Sequence, residues 1–85
     1  MSEANPALKT AVLKAVDEQL QKNEPPETNK TYKRLRRKGY SHQEARELIA
    51  AILLAEMYDI IKYQRDHDEQ KYVKNLKRLP TLPWD

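Results

Sequence analysis

The longest apolar-rich run in this chain is Ser41 to Tyr63, SHQEARELIAAILLAEMYDIIKY, and it contains neither glycine nor proline. Its apolar residues recur at helical spacing. Ala45, Leu48, Ile49, Ile52, Leu53, Met57, Ile60 and Ile61 fall mostly on one broad face. At about 1.5 Å per residue this run is a rod of roughly 34 Å, enough to span a small domain. The remaining segments are suited to covering its apolar face.

The first segment, from Pro6 to about Lys22, carries a stripe of Leu8, Ala11, Val12, Ala15 and Val16, completed by Gln19 or Leu20. Asn5 suits the N-cap and Pro6 the first helical position. Asn23-Glu24-Pro25-Pro26 ends this helix, and the fixed φ of proline suits the beginning of another. The second helix, over 26–38, is the least apolar, with a narrow inward stripe of Thr28, Tyr32 and Leu35. Gly39, the one glycine in the chain, suits a left-handed C′ position, with Leu35 and Tyr40 as the apolar pair of a Schellman motif. Ser41 then caps the third helix, over 42–63, and Glu44 completes a capping box. A fourth helix, over 68–78, is capped by Asp68 or by Asp66 with Glu69. Its inner face is Tyr72, Val73, Leu76 and Leu79, with Lys71, Lys74 and Lys77 outward. The tail, 79–85, holds two prolines and cannot be helical throughout, so Leu82 and Trp84 are expected to lie against the bundle. The expected architecture is all-α: one domain over 1–85, a small bundle of three to four helices with a long central third helix.

Composition narrows the function classes. With 85 residues and no cysteine, the core is thin, and disulfide frameworks, zinc ribbons and thiol nucleophiles are excluded. The start, MSEANPALKT, lacks the basic and apolar stretches of a signal peptide. Glu47, Glu56 and Asp59 interrupt the apolar run well short of a membrane span. A cytoplasmic location without membrane association is the resulting expectation. The net charge of +3 is modest, but its distribution is not even. Lys30, Lys33, Arg34, Arg36, Arg37 and Lys38 crowd one short segment with no acid among them.

Several pieces occur together in a recognisable order. They are Glu24-Pro25-Pro26, then Leu35-x-x-x-Gly39-Tyr40-Ser41-x-x-Glu44-Ala45, then Glu56-x-Tyr58-Asp59, then Asp68-Glu69-x-x-Tyr72-x-x-x-Leu76-x-x-Leu79-Pro80. This order resembles a family of small bacterial helical proteins classed as a domain of unknown function. The resemblance implies a bacterial, cytosolic helical domain and supplies no activity, cofactor or partner.

Glu56 is the most unusual residue, because it projects near the middle of the apolar face beside Ile49, Ile52 and Ile60, with Asp59 on the rim. A carboxylate there must be paired, hydrogen-bonded or protonated. Bundles that use inward carboxylates for metal chemistry also carry Glu-x-x-His, which does not occur here. Glu56 is therefore expected to make a structural bond to a tyrosine hydroxyl, an arginine or the amides of a neighbouring helix start. His42 and His67 are far apart, and adjacent residues such as Asp66-His67-Asp68 seldom point at one ion. Ser41 is already used as a cap. No catalytic, metal or cofactor residue is assigned, and the chain is read as no enzyme.

Two binding surfaces are left. Leu54 and Tyr58 project away from the main face of the third helix, a surface for a protein partner or a homodimer. The cations Lys30, Lys33, Arg34, Arg36, Arg37 and Lys38 could contact phosphates, giving weak, non-specific nucleic-acid binding. Base reading by the third helix is disfavoured, since it starts with Glu44 and Glu47 and is too apolar to leave the core. Protein association is the leading reading and nucleic-acid contact the alternative.

Overall fold

The computed structural model describes residues 6–85, which form α1 (Pro6–Lys22), α2 (Pro26–Arg37), α3 (His42–Tyr63) and α4 (Glu69–Arg78). The chain is an all-α bundle, and the expected Asn5 cap lies outside the described residues. Helix α3 packs against each of the other three, and so does α2, whereas the α1 and α4 backbones do not pack directly on each other. Ala45, Ile49, Ile52 and Glu56 recur every three or four residues along α3 and are its buried row. The three apolar members of this row close on Val16 from α1, Leu35 from α2, and Tyr72, Leu76 and Leu79 from α4 and its end.

Each helix boundary has a local cause. Asn23 takes a left-handed φ of 56° and the Glu24 amide returns to Gln19 O at 3.1 Å, which closes α1. At the end of α2, Tyr40 N donates to Leu35 O at 3.1 Å and Gly39 N to Arg36 O at 3.0 Å, the two bonds of a Schellman motif. Gly39 stands at φ +104°. Glu44 N donates to Ser41 Oγ at 3.0 Å and Ser41 N to Glu44 Oε1 at 2.8 Å, so the capping box starts α3 immediately. Of the two possible caps for α4, Asp68 serves, its Oδ1 accepting from Lys71 N at 3.1 Å. Lys38 is the C-cap of α2, as the pairing of Leu35 with Tyr40 around Gly39 requires, and the helix itself ends at Arg37.

Five expected burials are corrected. Leu8 and Ala11 are exposed, because the buried part of the α1 stripe begins at Val12. Thr31, not Tyr32, joins Thr28 and Leu35 inside α2, and Tyr32 sits half-buried at the rim. Ile61 is 75% exposed, since it falls two turns beyond Leu54 on the outer row of α3. Trp84 is 61% exposed. A turn at the end of the chain, with Asp85 N donating to Leu82 O at 3.0 Å and Leu82 N to Asp85 Oδ2 at 3.2 Å, puts Leu82 on the core and swings the indole out.

The polar groups that do enter the core are paired. Gln19 Oε1 accepts from Thr28 Oγ1 and from Tyr72 Oη, both at 2.8 Å, and so ties α1 to α2 and α4. Burial pushes the Tyr72 phenol up from its ordinary range. Among the described residues no buried side-chain nitrogen or oxygen lacks a hydrogen-bond partner.

Candidate functional site

Glu56 is only 3% exposed and sits where α3 meets the start of α4. Its two oxygens accept a forked pair of bonds from Arg65, at 3.0 Å and 3.2 Å, and Oε2 also accepts the Asp68 amide at 2.9 Å. His67 Nδ1 approaches Oε2 at 3.3 Å. Burial pushes the carboxyl up, but the bonds from Arg65 and Asp68, with the charge of Arg65 and the proximity of His67, outweigh it and leave it lowered. Asp59 extends the network through Lys71 at 2.9 Å and Arg65 at 3.8 Å. This arrangement orders the α3–α4 connection, and it leaves the acid's lone pairs engaged by the protein's own donors. Among the described residues no group of three or more histidine, aspartate or glutamate side chains is placed to hold a metal ion.

The cations of α2 divide by their angle around the helix. Arg34 turns onto the end of α4, where one guanidinium nitrogen donates to Leu76 O, Lys77 O and Leu79 O at 3.1, 3.3 and 2.7 Å. It thereby adds a donor to Leu76 O, which also accepts the Leu79 amide at 3.2 Å, and serves Lys77 O and Leu79 O at the end of the helix. Arg36 donates to Tyr32 Oη at 3.1 Å and lies 6.0 Å from that ring's centroid, while Tyr32 Oη meets His42 Nδ1 at 2.7 Å. Lys30, Lys33 and Arg37 lie on the side opposite the buried Thr28, Thr31 and Leu35 and are held in solvent. Lys38, at the cap, is also exposed.

The outer row of α3 is apolar. Leu54, Tyr58 and Ile61, spaced one turn apart, are 40%, 61% and 75% exposed. Two hollows flank the N-terminal half of this row. One, of about 380 Å³, runs between α1 and α3 and is lined by Leu8, Val12, Leu13, Ala50, Ala51 and Leu54, with Lys9 and Glu47 at its edge. The other, of about 270 Å³, lies between α3 and the tail, where Leu82 meets Tyr40, Leu48 and Ala51. Glu47 borders both hollows and pairs with Lys9 at 3.4 Å. Arg46 fixes α3 to α1 beside them through two 2.8 Å bonds to Asp17. Leu54 and Tyr58 are thus brought into one surface, and the contribution of Leu8 and Ile61 to it was missed. Counting the position of Ile61 from Leu54 rather than from Ile52 would have found it.

Residues 1–78 match a family model described as Domain of unknown function (DUF1841), and the chain belongs to that family. No curated protein and no solved structure matches the chain. No helix among the described residues is long and apolar enough to cross a membrane.

Proposed function

We propose that this member of the family is a non-enzymatic domain of the bacterial cytoplasm that works by protein–protein association through the outer face of α3. The observation that carries the reading is the alignment of Leu54, Tyr58 and Ile61 on one exposed row, beside a groove with apolar walls. Single exposed apolar residues are ordinary, whereas a contiguous patch rimmed by polar groups marks a contact surface. Glu56, the acid with the most unusual placement, is engaged by Arg65 and Asp68. That engagement favours a structural role for it over a chemical one.

The test is a pull-down from the source cell's nuclease-treated lysate, comparing the natural chain with a Leu54→Asp, Tyr58→Asp double variant. A protein retained by the first and lost by the second supports the reading. A chain that retains no protein and also fails to associate with itself overturns it.

A second reading is weak, non-specific phosphate contact by nucleic acid. It is supported by the outward placement of Lys30, Lys33 and Arg37 on a helix side without acids. Arg34 is occupied at the end of α4, so the contact surface would be smaller than the six cations suggest. Salt-sensitive binding that disappears on replacing Lys30, Lys33 and Arg37 with Glu would support this reading, and no binding at low salt would end it.

A further inference from the structure

We propose that the partner of the outer α3 face is a second copy of this chain, packed with its α3 antiparallel to the first about a two-fold axis near Leu54 and Ala55. This deepens the association reading and rests on it. The argument is that the surface contains its own complement. Its C-terminal half protrudes, since Tyr58 and Ile61 are the most exposed apolar side chains of α3 outside the final residue, at 61% and 75%. Its N-terminal half is hollow, because Ala50 and Ala51 lie in the floor of the 380 Å³ groove with Leu8 and Leu13 on the α1 side. A knob and a hole on one surface are what a two-fold interface requires, because each copy must offer both. In the antiparallel arrangement Tyr58 of each copy comes over Ala51 of the other. Ile61 then lies towards the mouth of the other copy's groove.

The charges favour the same register. Glu47, whose pair with Lys9 of its own chain is an exposed one at 3.4 Å, stands at the N-terminal end of the outer row, and Lys62 stands at its C-terminal end, with Nζ 5.8 Å from the Tyr58 ring centroid. They are nearly equidistant in sequence from Leu54 and Ala55. Antiparallel pairing therefore brings Glu47 of each copy to Lys62 of the other, twice by symmetry. Parallel pairing would set Glu47 beside Glu47 and Lys62 beside Lys62, which is repulsive. A partner of uniform charge would match only one end of the row. A two-helix contact widened by the α1 edge is smaller than the roughly 800 Å² per partner of a standard interface, so the dimer is a weak one.

The experiment is sedimentation equilibrium on the purified full chain up to millimolar concentration, with circular dichroism as a fold control. A concentration-dependent dimer is expected. Glu47→Lys or Lys62→Glu alone should weaken it roughly tenfold, two rim pairs being disturbed at once, and the two together should restore it. Because the chain has no cysteine, single cysteines report the direction cleanly. Leu54→Cys near the axis should cross-link with a short bismaleimide, and Gln43→Cys at the helix start should not.

A monomer at every concentration, equal cross-linking at both positions, or a double charge reversal that fails to restore the dimer overturns the proposal. If the chain is monomeric but the pull-down retains a protein lost in the Leu54→Asp, Tyr58→Asp variant, the second copy is wrong and the association reading stands. If both fail, the association reading falls as well.

Discussion

The Glu56 carboxylate on α3 accepts the Asp68 amide at 2.9 Å, and Asp68 in turn caps α4 through Lys71 N at 3.1 Å. The buried acid of one helix therefore sets the first residue of the next. Replacing Glu56 with Ala removes the acceptor of the Asp68 amide and leaves Arg65 without its forked partner. The expected loss is about 2–3 kcal/mol, since charged hydrogen bonds at a buried site contribute more than neutral ones. In a domain of this size that lowers the melting temperature by roughly 10–20 °C, which a thermal scan followed by circular dichroism would read. A change of under about 3 °C would remove Glu56 from this role.

The same residue predicts an acid limb in stability. Its folded carboxyl titrates below the ordinary value of 4.5. The contribution is fully present above that value and is lost as pH falls through the lower, folded one. The melting temperature should be flat from neutrality to about pH 5.5 and fall below about pH 4.5. Glu56→Gln should be less stable at neutral pH and show a shallower fall. An acid limb as steep as in the natural chain would assign the effect to other carboxylates.

Arg34 is expected to separate from its neighbours on α2. Arg34→Ala leaves three α4 carbonyls without their guanidinium and should cost about 1–2 kcal/mol, with Arg34→Lys recovering part of it. Lys30→Ala and Lys33→Ala, on the solvent side, should change stability by less than about 0.5 kcal/mol. Urea titrations of the three alanine variants would distinguish them, and equal effects would contradict the angular division described for α2.

Gly39→Ala tests the corner between α2 and α3. A Cβ there would meet nothing within 4 Å, so only the φ of +104° opposes it. The expected cost is about 1 kcal/mol, a few degrees in melting temperature. No loss would mean that the corner tolerates a different backbone.

Tyr58→Asp and Ile61→Asp should leave the isolated fold intact, with melting temperatures within a few degrees of the natural chain, because both side chains are mostly in solvent. Ile52→Ala, at 1% exposure, should by contrast cost about 2–4 kcal/mol. Parallel losses in all three would show that the outer row supports the fold itself and would weaken its reading as a contact surface.

What was legible in the sequence was the part encoded locally. Pro25-Pro26, Gly39-Tyr40 and Ser41 with Glu44 mark boundaries through backbone geometry within a few residues, and the limits between α1, α2 and α3 follow from them. The inward position of Glu56 followed from periodicity alone. Its particular partners did not, because Arg65 and the Asp68 amide reach it through a left-handed Gln64 at φ 51° that no residue type announces. The sequence groups Arg34 with its cationic neighbours because charge is visible in a sequence and direction is not. Only the placement of α4 separates the one from the others. The size of Trp84 argues for burial beside Leu82, yet the terminal turn commits only Leu82 to the core.

The Schellman and capping-box corner also bears on the order in which the molecule assembles. Each of its hydrogen bonds joins residues no more than five positions apart, so it can form early, before distant segments meet. The far end of α4 depends on Arg34 from 42 to 45 positions away, and Tyr72 on Gln19 from 53 away. Closing such loops consumes chain entropy before any contact rewards it. Helix α4 should therefore dock last and detach first, hinging on its Glu56 tether, and its amides should exchange with deuterium ahead of those in the corner.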